Sequence, residues 1–151
     1  RGYSVVHGYG RDEDRTSGAI DDGAWMHTGD LDTMDEQGYV NIVGRIKDMV
    51  IRGGENIYCI EVESALYDHP AVMDASVVGI EHKILGQEVG AVVQLKPGMT
   101  ASQEELQAHV RKQLAAFKVP VEIQFQADPL PRNANGKILK TELRDRFKAR
   151  A

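Results

Sequence analysis

The chain has a single cysteine, Cys59, among its 151 residues. One thiol cannot close an internal disulfide, so nothing points to an oxidising compartment and the cytosol is the expected location. A long apolar run is also missing. No stretch approaches the roughly 18 residues of a membrane span, and no signal peptide is visible. Basic residues are in deficit: Lys and Arg total 18 against 23 Asp and Glu, a formal charge of -5. That balance argues against a general nucleic-acid footprint, because neutralising backbone phosphates takes a surplus of positive charge. The five histidines, at positions 7, 27, 69, 82 and 109, show no Cys/His spacing suited to zinc, so no metal site is expected.

The charge that is present is unevenly spread. Asp12, Glu13, Asp14, Asp21, Asp22, Asp30, Asp32, Asp35 and Glu36 crowd the front, and Arg132, Lys137, Lys140, Arg144, Arg146, Lys148 and Arg150 crowd the end. Apart from Lys137, the basic tail reads as a solvated helix, with a phosphate-facing surface as the alternative. Residues 3–6 and 39–43 are rich in β-branched or aromatic residues and bounded by glycines, which predicts strands, with a turn at 35–38 and no helix of any length before Lys47. A further strand is expected over 47–52, broken by Gly53 and Gly54, which lack a Cβ and permit a tight turn.

From 60 to 68, Val62, Ala65 and Leu66 share a helical face, and His69-Pro70 stops the pattern. Residues 75–80 and 89–95 are near-continuous apolar runs, as in strands buried on at least one side. Ser102-Gln103-Glu104-Glu105 is a capping box, followed by Leu106, Val110, Leu114 and Phe117 at helical steps up to Pro120. A strand over 121–125 and a terminal helix over 141–148 complete the series. The order predicts an α+β fold: residues 47–151 form a small domain with a short mixed β-sheet flanked by helices. Residues 1–46 precede it as a β-rich strip, the trailing edge of a larger neighbour.

Gly136-Lys137 does not complete a nucleotide phosphate loop, since position 131 is Pro and position 138 is Ile, so the first glycine and the magnesium-binding hydroxyl are both absent. The stretch 129–136 is a polar arm that presents a lysine. Cys59 has no His or Asp spacing beside it that would support nucleophilic chemistry.

Three ordered motifs carry more information together than apart. They are Trp25-Met26-His27-Thr28-Gly29-Asp30, the run from Gly44-Arg45-Ile46-Lys47 through Arg52-Gly53-Gly54 to Asn56-Ile57-Tyr58, and Pro131-Arg132-Asn133-Ala134-Asn135-Gly136-Lys137-Ile138-Leu139-Lys140. This trio resembles the C-terminal motifs of AMP-forming acyl-CoA synthetases, in the adenylate-forming superfamily of aryl-CoA ligases, luciferases and peptide-synthetase adenylation domains. The resemblance covers nearly the whole chain. Cys59 departs from it, standing where a proline often follows Asn-Ile-Tyr.

The resemblance implies a role for each site residue. Lys137 is the catalytic lysine, whose ammonium bridges the oxygens on which charge gathers as a carboxylate attacks the α-phosphate of ATP. Asp30 accepts hydrogen bonds from the ribose hydroxyls and Arg45 is a second nucleotide contact. Lys47 is a hinge. Gly54, with Gly53, lets the pantetheine arm of CoA pass close to the backbone, and Arg52 reaches a CoA phosphate. ATP with Mg2+, CoA and a carboxylic acid are the implied ligands, and the partner is the protein's own N-terminal domain. Because the chain starts at Arg1 and lacks the Ser/Thr/Gly-rich phosphate loop and acyl pocket of such enzymes, it reads as a C-terminal portion, inert alone. The wording is nearest to fatty acyl-CoA synthetases, but aryl-CoA ligases share nearly the same motifs, so the acid, fatty or aromatic, stays open. An adenylating enzyme that loads a carrier protein and a free-standing interaction module are the alternatives.

Overall fold

The structure is a computed structural model that describes residues 2–148. Arg150 of the basic tail lies outside them. The chain divides into two compact units, one up to Lys47 and one from Asp48 on. None of residues 2–47 is buried, and regular structure there is correspondingly sparse. Helix α1 (Glu13–Ala19) is held by its ends: the Asp12 carboxylate accepts from the Arg15 amide, and Glu13 and Asp14 sit in the first turn where the helix dipole favours anions. This helix corrects the sequence expectation, which saw none because α1 buries nothing and so has no apolar stripe. Strands β1 (Asp30–Met34) and β2 (Val40–Arg45) pair antiparallel around a turn in which Asp35 accepts from the Gln37 and Tyr39 amides. Residues 3–6 are not a strand. They form a turn closed by the Val5 amide on the Gly2 carbonyl, with no partner strand among the described residues.

The second unit is an α+β fold on one sheet. A 3-10 turn (Ile46–Asp48) leads across the boundary into β3 (Val50–Arg52), which starts later than expected. Gly53 and Gly54, at φ of +56° and +93°, turn the chain into β4 (Glu55–Ile57). Helix α2 (Cys59–Tyr67), the hairpin of β5 (Val72–His82) and β6 (Gly86–Leu95), helix α3 (Gln103–Arg111), β7 (Glu122–Gln126) and α4 (Lys140–Lys148) follow. The sheet order is β4-β3-β6-β5, with β7 parallel to β6 on the side away from β5. Parallel pairing needs a long crossover, and α3 provides it.

Burial on both faces explains the uninterrupted apolar runs. Alternate strand residues point to opposite faces. Ala75, Val77, Val89, Ala91 and Val93 pack with Val62, Ala65 and Leu66 of α2 and Leu106 and Val110 of α3. Val78 and Val92 instead join Leu130 and the α4 residues Leu143 and Phe147. Gly90 makes room for α4, since a Cβ there would lie 3.2 Å from the Phe147 ring.

Ser102 caps α3 as the capping box predicts, accepting from the Glu105 amide. The helix ends at Arg111, however, and Phe117 reaches the core from a separate 3-10 turn, Ala116–Lys118. Steps of four, four and three mark contact with the core, which a broken helix satisfies as well as a continuous one. Leu106, fully buried where α3 meets the sheet, tests this packing. Leu106→Ala should cost roughly 2–5 kcal/mol, read as a lower urea midpoint at unchanged slope.

Candidate functional site

Residues 131–139 fold back on themselves into a closed arm. Arg132 and Ile138 form an antiparallel bridge, the Leu139 amide donates to the Pro131 carbonyl at 2.8 Å, and the Asn133 amide donates to the Lys137 carbonyl at 2.8 Å. The Asn133 side chain accepts from the amides of Asn135 (3.0 Å) and Lys137 (2.9 Å), while Gly136 takes φ +78°, a conformation natural to glycine. At the tip Lys137 is exposed, and among the described residues its ammonium has no hydrogen bond or ion pair.

Two side chains tie the arm to β5. Arg132 donates to Asp74 at 2.6 Å and to the Gly136 carbonyl at 2.8 Å. On the other side Lys140 donates to Glu63 of α2 at 2.8 Å and to the Val77 carbonyl at 3.1 Å, and Glu63 also accepts from the Val77 amide at 2.8 Å. The Lys140 and Glu63 side chains are only 19% and 16% exposed. Lys140 is therefore not part of a solvated basic face, as the sequence suggested. Burial works against its charge, but Cys59, Glu63 and Asp48 outweigh burial and hold its pKa above the usual lysine value. The Cys59 thiol beside it donates to the Asp48 carbonyl at 2.7 Å, and burial pushes it from 9.0 up to about 11.

The glycine turn belongs to the other end of the same sheet. The Gly53 amide donates to the Leu85 carbonyl at 2.8 Å, in the β5–β6 loop, and Arg52 pairs in register with Gly86. Arg52 donates its Nε–H to Glu88 at 2.7 Å. A Cβ on Gly53 would meet Leu85 at 3.0 Å, whereas one on Gly54 would find nothing within 4 Å, so the backbone of Gly54 lies open. The Lys137 arm is anchored at Asp74 and the glycine turn lies beyond His82, eight residues along β5. At about 3.3 Å per residue the two anchorages are roughly 25 Å apart. The Arg132 tie of the Lys137 arm and the anchorage of the Gly54 turn thus lie toward opposite ends of β5.

In the first unit Asp30 and Arg45 are register partners on β1 and β2, and the Arg45 Nε–H donates to the Asp30 carboxylate at 3.1 Å. Both are exposed enough to accept a ligand. Lys47, the last residue of that unit, is exposed in the 3-10 turn.

A family model described as "AMP-binding enzyme C-terminal domain" matches residues 61–137, just over half of the chain. The chain belongs to this family. Among curated relatives of this AMP-binding enzyme C-terminal domain, the candidate acyl-CoA synthetase YngI of Bacillus subtilis (strain 168) is 48% identical over 97% of the chain and 26% of its own length. The mitochondrial medium-chain acyl-CoA ligase ACSF2 of Homo sapiens is 42% identical over 97% of the chain and 24% of its own length. The chain therefore spans about a quarter of the length of the curated relatives it matches. Among solved structures, ATP-bound MatB from Rhodopseudomonas palustris superposes with a TM-score of 0.91 at 40% identity, over 98% of this chain and 29% of that one. The o-succinylbenzoate CoA synthetase MenE from Bacillus subtilis, in complex with its acyl-adenylate, gives 0.84 at 37% identity, over 92% and 28%.

Sequence reasoning missed Asp74, Glu63 and Lys140 as supports of the arm, and gave Arg132 no role beyond its place in the third motif and the basic tail. No local pattern marks them, because each ion pair joins residues 58 or 77 positions apart. Cys59 and Lys140 both gain affinity for their proton on folding, so each stabilises the fold fully below its unfolded pKa and loses that contribution as pH rises. For Cys59 the window runs from 9.0 to about 11. Unfolding free energy should fall by roughly 2 kcal/mol across it, and Cys59→Ala should remove most of that decline. Glu63→Gln, which leaves the Lys140 ammonium without its counter-charge, should cost on the order of 3 kcal/mol near pH 7. Chemical denaturation across pH reads both.

Proposed function

We propose that the chain is the C-terminal part of an ATP-dependent, AMP-forming acyl-CoA synthetase, with residues 1–46 the edge of a large adenylation domain and 47–151 a mobile lid. The observation that carries this reading is the separation of Lys137 from Gly54 along β5. Lys137 offers an ammonium without a partner among the described residues and Gly54 an open backbone, yet the points on β5 nearest their anchorages, Asp74 and His82, are roughly 25 Å apart. Both serve a single active centre only if the unit rotates between two placements. Lys47, at the boundary of the two units, is the residue that would absorb that rotation.

In the first placement a carboxylate oxygen attacks the α-phosphorus of ATP, the bond to the β-phosphate breaks and pyrophosphate leaves. The Lys137 ammonium stabilises charge on the attacking and phosphoryl oxygens. In the second, the CoA thiol gives up its proton, its sulfur attacks the acyl carbon and AMP departs, with the pantetheine arm running past Gly53 and Gly54. Arg52, whose Nε–H is committed to Glu88, keeps its remaining guanidinium donors for a CoA phosphate. Asp30 takes the ribose hydroxyls, and Arg45, oriented by Asp30, contacts the nucleotide. With the full-length enzyme, Mg2+ would enter on the triphosphate of ATP.

The exposure of Trp25, Met26, Met34, Tyr39, Val40 and Ile42 supports a covering neighbour for the first unit, because 46 residues without a buried side chain have no core of their own. Relatives named as medium-chain acyl-CoA ligases favour a fatty acid as substrate. No helix among the described residues is long and apolar enough to cross a membrane, and the cytosol is the proposed location.

The test is AMP release by the full-length protein across fatty and aromatic acids, with and without CoA. CoA-dependent turnover of a fatty acid to its thioester is expected. Lys137→Ala should lower acyl-AMP formation on the order of 100-fold or more while sparing thioester formation from supplied acyl-AMP, Gly54→Leu should do the reverse, and the isolated chain should turn nothing over. Acyl transfer to a carrier protein but not to CoA would replace CoA as acceptor. Absence of ATP cleavage with any acid would leave the chain as an interaction module.

A further inference from the structure

Among the described residues nothing holds the Lys137 side chain, so where its ammonium goes depends on the backbone beneath it. That backbone is held by the Asn133 amide on the Lys137 carbonyl at 2.8 Å and, just before it, by a grip on both ends of one peptide group. The Gly136 carbonyl and the Lys137 amide belong to the same planar unit, which resonance keeps flat. Its oxygen accepts from Arg132 Nη1 at 2.8 Å and its N–H donates to Asn133 Oδ1 at 2.9 Å. With both ends held, the plane cannot swing, and the direction in which the Lys137 side chain leaves is set.

The grip is only as good as its anchor. The other arm of the Arg132 fork, Nη2, donates to Asp74 Oδ2 at 2.6 Å. Asp74 is itself immobilised on the far oxygen, which accepts from the Ala75 amide at 3.0 Å and from the Tyr67 hydroxyl at the end of α2. The Asp74 side chain is only 14% exposed. A line of charge-assisted bonds therefore runs from α2 and β5 through Asp74 and Arg132 to the peptide that carries Lys137.

We infer that Asp74 and Arg132 are positioning residues for Lys137, transmitting the rigidity of β5 to the Gly136–Lys137 peptide so that the lysine is pre-aimed for adenylation. The role needs a planar fork that reaches two acceptors at once, which a lysine at position 132 would not supply. It also needs an anion at position 74. Asp74 cannot act by attracting a nucleotide phosphate, which separates this role from direct ligand binding by Arg132. The inference rests on the adenylation reading of Lys137 above, but its mechanical half does not.

The experiment compares the full-length protein with Asp74→Ala, Arg132→Ala, Arg132→Lys and the Asp74→Ala/Arg132→Ala double variant. Three quantities are read: acid-dependent ATP–pyrophosphate exchange, thioester formation from supplied acyl-AMP and CoA, and the rate of tryptic cleavage after Lys137 without substrates. Each single variant should lower exchange kcat about tenfold, leave the ATP KM within about twofold and spare thioester formation, as expected for a misaimed group. Cleavage after Lys137 should quicken about tenfold, and the double variant should be no worse than either Ala single, because both break one line of contacts.

Unchanged cleavage and exchange in Asp74→Ala would overturn the inference. So would equal losses in both half-reactions, which would mean a general structural role, or full activity of Arg132→Lys, which would mean charge alone matters. A parent protein with no exchange for any acid would overturn the adenylation reading instead. The cleavage rates would then still decide whether Asp74 and Arg132 hold the arm.

Discussion

The pairing of β5 with β6 leaves β5 with one edge that no strand among the described residues covers, and the candidate site hangs on how that edge is closed. An open edge offers unpaired amides and carbonyls to any passing strand. Here the Val77 amide and carbonyl are both taken, by Glu63 and Lys140, and the Ala75 carbonyl accepts from the Tyr67 hydroxyl at 3.3 Å. The side chains that close the edge are also those that bind the arm. Lys140 enters from the residue that starts α4, and Arg132 reaches Asp74 from the other strand of the arm. Edge protection and presentation of Lys137 are thus one structural solution.

Burial of the sheet on both faces makes that solution stiff. The cluster with α2 and α3 on one side and the cluster with α4 on the other leave the β5–β6 hairpin little freedom to bend. A stiff sheet with a lysine arm at one end and an open glycine turn at the other cannot bring them together by local flexing. Under the proposed two-step reaction, this rigidity is what makes a whole-unit rotation necessary.

The first unit follows a different logic. Its α1 helix and β1–β2 hairpin are held by local devices, an Asp12 cap and an Asp35 turn, and bury no side chain. Such elements carry no periodic apolar signal. That is why α1 and β1 were invisible to pattern reading, while residues 3–6, apolar but unpaired, suggested a strand that is not there. In the second unit the signals were strong wherever burial was one-sided or complete: α2, the hairpin and the α3 cap stood out because their apolar positions report the core directly. Strand β4, three residues long with only Ile57 buried, gave no alternation to detect.

By itself, the sequence determined the α+β class, the order of the well-buried elements, the glycine turn after β3 and the motifs that carry the family membership. These depend on residue type and local spacing, which a chain carries in one dimension. Only the tertiary structure decided that Lys140 is a largely buried ion-pair partner of Glu63, that Arg132 spans Asp74 and Gly136, and that the Arg132 tie and the glycine turn are anchored toward opposite ends of β5. Each of those joins or separates residues far apart in the chain. Their energies come from desolvation and directed hydrogen bonds between groups that meet only after folding, so no local pattern encodes them.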